Sequence, residues 1–155
     1  PKLALKGLNK IIPKDLNPEN KERLTNNFDA SITYSRQIGN IYTGSLYLGL
    51  LSLLEQSQDL KAGDKIGFFS YGSGAVSEIF SGRLVEGYKD MLRSDRLDTF
   101  AQRHNLSVAD YEKLFYEEAQ LDDTGSTRFA TYQTGSFRLT EISEHQRIYK
   151  GNQND

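Results

Sequence analysis

The stretch that decides the fold is residues 64–84, DKIGFFSYGSGAVSEIFSGRL. Aromatic and β-branched residues fill both halves, and Gly72 and Gly74 lie between them, where glycine adopts a left-handed backbone without steric cost. The pattern predicts two strands, about 64–71 and 75–84, that are joined as a β-hairpin.

Three helices are predicted ahead of the hairpin. TGSLYLGLLSLLEQ at 43–56 is apolar on nearly every face, which is typical of a helix buried within a larger assembly. Residues 2–12 carry leucine and isoleucine at helical spacing with lysines on another face, and Pro13 ends that helix. Between these two, a helix of about twenty residues begins at Asn17, whose side chain caps free N–H groups, and ends at Gly39.

Beyond the hairpin the pattern predicts helix and then strand. The charged stretch 88–105 is expected to be helical in part, and Ser107 caps a further helix with Asp110 three residues on. That helix is expected to bury its apolar side chains, which are Val108, Tyr111, Leu114 and Phe115. Segment 134–149 suggests one or two closing strands, and residues 150–155 are expected to form a flexible tail.

The composition restricts the classes of protein and of site. The 155 residues suit one hydrophobic core. The net charge of -2, from 19 basic and 21 acidic residues, gives no overall field that attracts nucleic acid or an anionic membrane, so any phosphate-bearing ligand must be held locally. With 0 Cys, these residues hold no disulfide, no thiolate metal site and no cysteine nucleophile.

The chain has no apolar run of the roughly 18 residues that span a bilayer, and its start does not resemble a signal peptide. We therefore expect a cytoplasmic protein with no membrane partner. The first residue is Pro1 and not Met, and an amphipathic segment is already under way by Leu3. We expect the chain to begin inside a larger fold.

Two segments carry polar groups suited to holding a carbonyl oxygen or an anion. Asn40 lies just ahead of the predicted buried helix, so its amide, the hydroxyls of Thr43 and Ser45 and the free N–H groups of the first turn are expected to face one direction. In the hairpin, Ser70 and Tyr71 lead into the glycine turn, where a ligand can approach the backbone closely. Two alternatives remain open, because Asn40 can be a helix cap only and the glycine turn a connection only.

Both segments also resemble a known family in their sequence motifs, in the order of these motifs along the chain and in their spacing. GNIYTGSLYLGLLSLLE at 39–55, followed by GDKIGFFSYGSGAVSEIFSG at 63–82, is similar to the C-terminal region of bacterial-type 3-hydroxy-3-methylglutaryl-CoA (HMG-CoA) synthases, members of the thiolase superfamily. The opening PKLALKG resembles the family's stretch directly after its H-x-P-(F/Y) motif. The resemblance runs from Pro1 to about Met91, and more loosely over 107–149.

The resemblance implies an α/β fold, namely part of the C-terminal lobe of a thiolase-like layered fold. Residues 1–155 would form a single, incomplete C-terminal domain, with a peripheral helical insertion near 86–120. The implied reaction is a Claisen-type condensation of acetyl-CoA with acetoacetyl-CoA to HMG-CoA and CoA in the mevalonate route to isoprenoids. No metal or redox cofactor is implied, and the complete enzyme is expected to be a homodimer.

The same resemblance implies that the family's catalytic Cys, Glu and His precede Pro1. No catalytic residue is then expected in this segment, and the segment alone is expected to be inactive. Asn40 matches the asparagine of the G-N-x-Y-T motif that contacts the acetoacetyl group. Tyr71 and Ser73 match the S-Y-G-S-G motif near the same ligand, Tyr71 as a wall of the acyl pocket and Ser73 as a donor. Further possible contacts, for which a packing role is equally open, are Tyr42, Ser45, Gly72 and Gly74.

Outside these motifs, the charged residues and histidines are candidates for phosphate binding, have a structural role or have no assigned role. Lys2 and Lys6, four apart on one helical face, are candidates for binding the phosphates of CoA, with a solvated helix face as the alternative. Glu78 receives no role, because the family's catalytic glutamate is expected upstream. His104 and His145 are interpreted as surface or structural residues, since neither lies in an H-x-P-(F/Y) context.

Two rival functions remain. One is a ketoacyl-synthase-like condensing enzyme, which the GNIYTGS and FFSYGSG motifs match less well. The other is a non-catalytic module for CoA binding or dimerisation. An acid, a Cys and an H-x-P-(F/Y) motif upstream of Pro1 would decide for the HMG-CoA synthase.

Overall fold

The computed structural model describes residues 2–116, 119–129 and 136–151, without the side chain of Ser73. The helices are α1 Lys2–Ile11, α2 Pro18–Ile38, α3 Gly44–Gln56, α4 Arg96–Ala101 and α5 Val108–Tyr116. The strands are β1 Lys65–Tyr71, β2 Ser77–Arg83, β3 Thr127–Arg128, β4 Phe137–Ser143 and β5 Gln146–Gly151. Short 3-10 turns lie at Ser73–Ala75 and Tyr88–Met91. The chain forms two compact units, Pro1–Asp95 and Arg96–Asp155. In the part of the chain that is described, no helix combines the length and apolarity needed to cross a membrane.

The boundaries of α1 and α2 follow from the residues that the sequence places there. The Asn17 side chain accepts a hydrogen bond from the Asn20 N–H at 2.8 Å, and Pro18 occupies the first turn of α2. Gly39 ends α2 with a φ of 84°, a left-handed value that favours glycine. The predicted α1 and α2 are therefore confirmed to within a residue or two.

Helix α3 packs one face on α2 and β1. Ser52 and Leu53 are its buried residues, whereas Tyr47 on another face is 61% exposed. Leu53 forms the core of the first unit with Leu60 and Ile66. Partly buried apolar side chains complete this core, namely Ala30, Leu50, Leu54, Phe68 and Leu84. In this chain α3 is buried on one side only, so its complete burial in a larger assembly stays a prediction.

Strands β1 and β2 form the predicted antiparallel hairpin. Phe68 pairs with Phe80, and their rings stack with centroids 4.8 Å apart. The turn differs from the prediction, because Gly72 is extended while Gly74 and the non-glycine Ala75 adopt left-handed φ values of 78° and 57°. The second strand therefore begins at Ser77, two residues later than predicted, since a left-handed residue cannot continue a strand.

The second unit contains α4, α5 and a three-stranded antiparallel sheet in the order β3-β4-β5. The predicted cap of α5 is present, because the Asp110 N–H donates to the Ser107 Oγ at 3.1 Å. The predicted burial of this helix is wrong: Val108, Tyr111, Leu114 and Phe115 are all more than half exposed. The helical spacing only aligns these side chains on one face, and within the described residues they remain largely uncovered, with Tyr111 stacked on Phe115.

The loop ahead of β3 contacts the turn between β4 and β5. The Asp122 carboxylate accepts hydrogen bonds from the Thr124 hydroxyl and from the Thr124 and Ser126 N–H groups at 2.6–2.9 Å. These donors, the Thr124 hydroxyl first, lower the pKa of Asp122. The His145 N–H donates to the Gly125 carbonyl at 3.0 Å, so His145 takes part in a structural contact. Strand β5 includes residues 150 and 151, and the remainder of the predicted tail, 152–155, lies outside the described residues.

Candidate functional site

The connection between α2 and α3 holds Asn40 in a network of short hydrogen bonds. The Asn40 Oδ1 accepts from the Tyr42 N–H at 2.9 Å and from the Ser45 hydroxyl at 3.0 Å. The Ser45 Oγ in turn accepts from the Ile41 N–H at 2.9 Å. Asn40 is exposed, and its amide nitrogen makes no hydrogen bond to any of the described residues. The loop therefore engages the acceptor end of the amide and leaves the donor end without a hydrogen bond among the described residues.

This geometry corrects the expectation that free N–H groups at the start of α3 would face a ligand. The Gly44, Ser45 and Leu46 N–H groups donate to the carbonyls three residues back, at 3.2, 2.9 and 3.4 Å. The N-cap residue is Thr43, which makes no capping hydrogen bond through its side chain. Asn40 is likewise not the cap of α3, since its side chain closes a turn with Tyr42 two residues on. The side-chain amide of Asn40 is then a donor that this loop offers, together with the Thr43 hydroxyl.

Tyr42 adopts an unusual backbone conformation that completes the network. Its φ is 54°, in the left-handed region, and its side chain is 87% exposed. This conformation costs a non-glycine residue about 1–2 kcal/mol. The side chain is largely uncovered in this chain, so the strained residue takes part in the loop through its backbone: its N–H donates to Asn40 and its carbonyl accepts from the Ser45 N–H.

A shallow cavity of about 230 Å³ lies between the start of α3 and the hairpin. It is lined by Thr43, Leu46, Tyr47, Ser70, Glu78 and Phe80. The two segments singled out in the sequence therefore contribute to one cavity, with a hydroxyl from each, Thr43 and Ser70, in its wall. Leu46 and the rings of Tyr47 and Phe80 add apolar surface, and Glu78 adds a carboxylate, so the cavity offers both polar and apolar contacts to a small ligand.

Glu78 is the residue that sequence reasoning set aside and the structure places in the cavity wall. It pairs across the hairpin with Ser70. The alternation of a strand contains this information, because residues two apart face the same side and cross-strand partners lie together. Because Ser70 and Phe80 face the cavity, Glu78 must face it as well.

The other predicted contacts lie around this cavity without lining it. Tyr71 is 52% exposed and follows Ser70 in β1, so it points to the opposite face of the strand. A Cβ added to Gly72 or Gly74 would meet no described atom within 4 Å, which leaves open space beside the turn. The predicted donor, the side chain of Ser73, lies outside the described residues.

The candidate phosphate contacts lie on α1. Lys2 and Lys6 are both exposed, one helical turn apart, and neither lines the cavity. Helix α1 itself is held against the hairpin near Gly7, where an ideal Cβ would lie 3.7 Å from the Phe69 ring. The structure thus leaves both ammonium groups accessible to an anion but does not bring them to the acyl site.

Comparisons with known proteins cover both motif segments. A family described as "Hydroxymethylglutaryl-coenzyme A synthase C terminal" matches residues 5–151. The HMG-CoA synthase of Enterococcus faecalis is 52% identical over 103 residues, which cover 66% of this chain and 27% of that protein.

Solved structures match along nearly the whole chain. A crystal structure of HMG-CoA synthase complexed with CoA is 64% identical with a TM-score of 0.82, covering 97% of this chain and 39% of that one. A crystal structure of a Streptococcus mutans UA159 protein is 61% identical with a TM-score of 0.79, covering 97% of this chain and 40% of that one.

The chain therefore spans between about a quarter and two fifths of the length of these relatives. The likeness confirms the predicted fold, part of a thiolase-like layered architecture. Since the family match runs over residues 5–151, the chain belongs to the family of C-terminal domains of HMG-CoA synthases.

Proposed function

We propose that the protein carrying this chain condenses acetyl-CoA with acetoacetyl-CoA, with hydrolysis of one thioester by water, to give HMG-CoA and free CoA as a step toward isoprenoids. In this proposal the chain supplies one wall of the acetoacetyl pocket, and the acetylated nucleophile comes from outside it, because the chain has 0 Cys. Membership of the HMG-CoA synthase family supports this function over a ketoacyl synthase or a non-catalytic module.

The observation that carries the proposal is the state of the Asn40 amide. Its oxygen already accepts two hydrogen bonds, from Tyr42 and Ser45, so its exposed nitrogen is the available group. In the condensation, the acetyl methyl group loses a proton to a base and its carbon attacks the ketone of acetoacetyl-CoA, so negative charge develops on the ketone oxygen. A fixed N–H donor near that oxygen stabilises the transition state more than the ground state.

The remaining contacts are assigned within this proposal. Tyr71 does not line the cavity between α3 and the hairpin, so it would contact the substrate from the other face of β1, and Ser73 would donate to a substrate oxygen. Lys2 and Lys6 would meet the phosphates of CoA, an assignment supported by their exposure on α1 and by the CoA complex of a 64% identical relative. Binding through flexible ammonium groups would contribute to affinity and not to the chemical step.

The ligands, the location and the oligomeric state of the enzyme are also proposed. A carbon–carbon condensation between two thioesters needs no metal or redox cofactor, so acetyl-CoA and acetoacetyl-CoA are the only ligands proposed. We further propose that the complete protein is a cytoplasmic homodimer with no nucleic-acid or membrane partner, in keeping with the net charge of -2 of these 155 residues.

The test replaces Asn40 by alanine in the complete synthase and measures acetyl-enzyme formation and condensation separately. We expect condensation to fall by about two orders of magnitude or more, the loss typical of one oxyanion donor, while acetylation survives. The matched control is Asn26→Ala, the same chemical change at an exposed position of α2. Wild-type condensation by the Asn40→Ala enzyme would refute the site assignment.

A further inference from the structure

We propose that Ser45 is a positioning residue, which holds the Asn40 amide in the one orientation that presents its N–H groups to substrate. The inference rests on the proposed function and deepens it. It also changes the role of Ser45, which was a possible direct contact of the substrate and becomes a residue that acts through Asn40.

The hydroxyl group of Ser45 is fully engaged within the loop. A serine hydroxyl has one proton to donate, and here that proton goes to the Asn40 Oδ1 at 3.0 Å. The oxygen of the same hydroxyl accepts from the Ile41 N–H at 2.9 Å, a bond that fixes the rotation of the hydroxyl. Ser45 is half-buried in the first turn of α3. Its proton is therefore committed within the loop, and Ser45 has none left to donate to a substrate.

The hydrogen bonds to Asn40 also fix the direction of its amide. A backbone N–H can only donate, so the atom facing the Tyr42 N–H must be the amide oxygen. The Ser45 hydroxyl reaches the same oxygen, so two donors converge on Oδ1 and occupy both of its lone pairs. Rotating the amide by half a turn would place its NH2 group against a donor. One orientation is thus selected, with Nδ2 directed away from the loop.

The Tyr42 N–H and the Ser45 hydroxyl contribute differently to holding the Asn40 amide. The Tyr42 N–H belongs to the backbone and stays in place in any side-chain variant. The Ser45 hydroxyl is the second restraint, and it ties the amide to the rigid first turn of α3. Without it the amide keeps one hydrogen bond and gains torsional freedom, so it presents its donor to the ketone oxygen for a smaller fraction of the time.

The test is a double-mutant cycle in the complete synthase with Ser45→Ala, Asn40→Ala and the pair combined. We expect Ser45→Ala to lower kcat for condensation on the order of tenfold, as for the loss of one hydrogen bond, with little change in KM for acetoacetyl-CoA. The double variant should be no slower than Asn40→Ala alone, because Ser45 acts only through Asn40. Ser45→Thr keeps the hydroxyl and should recover most of the wild-type kcat.

The outcomes distinguish this inference from the proposed function. Additive losses in the double variant would overturn the positioning role, since Ser45 would then act independently of Asn40. An equal loss of acetylation and condensation in Ser45→Ala would overturn it as well, because a general structural defect affects both steps. A wild-type kcat in Ser45→Ala beside a slow Asn40→Ala enzyme would refute the inference alone. A wild-type condensation rate in Asn40→Ala would instead refute the assignment of Asn40 to the substrate site, and an absence of condensation in the unaltered synthase would refute the proposed function.

Discussion

Replacing Ser52 with alanine tests how the two long helices of the first unit are held together. Ser52 lies on α3 with 0% exposure. Its Oγ accepts a hydrogen bond from the Tyr34 N–H at 3.2 Å and donates to the Ala30 carbonyl at 2.5 Å. Both partners are backbone groups of α2, so a single small side chain joins the interior of one helix to the other.

The expected magnitude follows from these two contacts. Each net hydrogen bond contributes about 1 kcal/mol. The Ala30 carbonyl and the Tyr34 N–H are four residues apart in α2, so they keep each other as helical partners and neither becomes an orphan. Alanine also has a higher helix propensity than serine, by about 0.5 kcal/mol. The net loss for Ser52→Ala should therefore be about 1–1.5 kcal/mol, or roughly tenfold in the equilibrium constant for local opening.

Hydrogen–deuterium exchange of the intact protein, read by mass spectrometry, measures that opening. Peptides from α2 and α3 should exchange about tenfold faster in Ser52→Ala. The control is Gly49→Ala on the same face, because an ideal Cβ there lies 3.5 Å from the Ser31 carbonyl oxygen, an ordinary contact. We expect unchanged or slower exchange for that variant, since alanine is the better helix former. Unchanged exchange in Ser52→Ala would show that the two hydrogen bonds do not stabilise the helix pair.

Two further predictions concern the second unit. Gly125→Ala should open the contact between its loop and the β4–β5 turn, because Gly125 has a φ of 74° and an added Cβ would overlap the His145 ring. The expected result is faster hydrogen–deuterium exchange around residues 122–127. Adding His145→Ala should recover the part of the lost protection that comes from the steric overlap, but not the part that comes from the left-handed backbone. Wild-type exchange in Gly125→Ala would contradict the prediction. The carboxyl of Asp122 should titrate with a pKa below 3.8, because the Thr124 and Ser126 donors bind its charged form. Because folding lowers the pKa of Asp122, its charged carboxylate stabilises the fold fully at pH values above the ordinary pKa. This stabilisation is lost as the pH falls through the lowered pKa. A titration midpoint of the carboxyl at or above 3.8, measured by NMR, would contradict the prediction.

Local signals in the sequence were sufficient for most elements of the fold. The ends of α2 are marked by Asn17, Pro18 and Gly39. Each of them affects only the adjacent turn of backbone: Asn17 caps its N–H groups, Pro18 suits its geometry and Gly39 ends the helix. The hairpin follows from its composition for the same reason. The motif resemblance located the two segments that line the cavity, and its family assignment was confirmed. Whether Asn40, Tyr71, Ser73, Lys2 and Lys6 contact substrate stays a prediction.

What the sequence alone determined, then, is most of the helices and strands and the family, because caps, glycines, periodicity and sequence motifs all involve only a few neighbouring residues. The short strand β3 was not predicted. Only the tertiary structure decided which atoms are available. It showed that the Asn40 oxygen is already occupied, that Glu78 faces the cavity, and that the apolar face of α5 is exposed. Burial and hydrogen-bond partners depend on residues distant in the chain, and periodicity can align side chains on one face without specifying what covers that face.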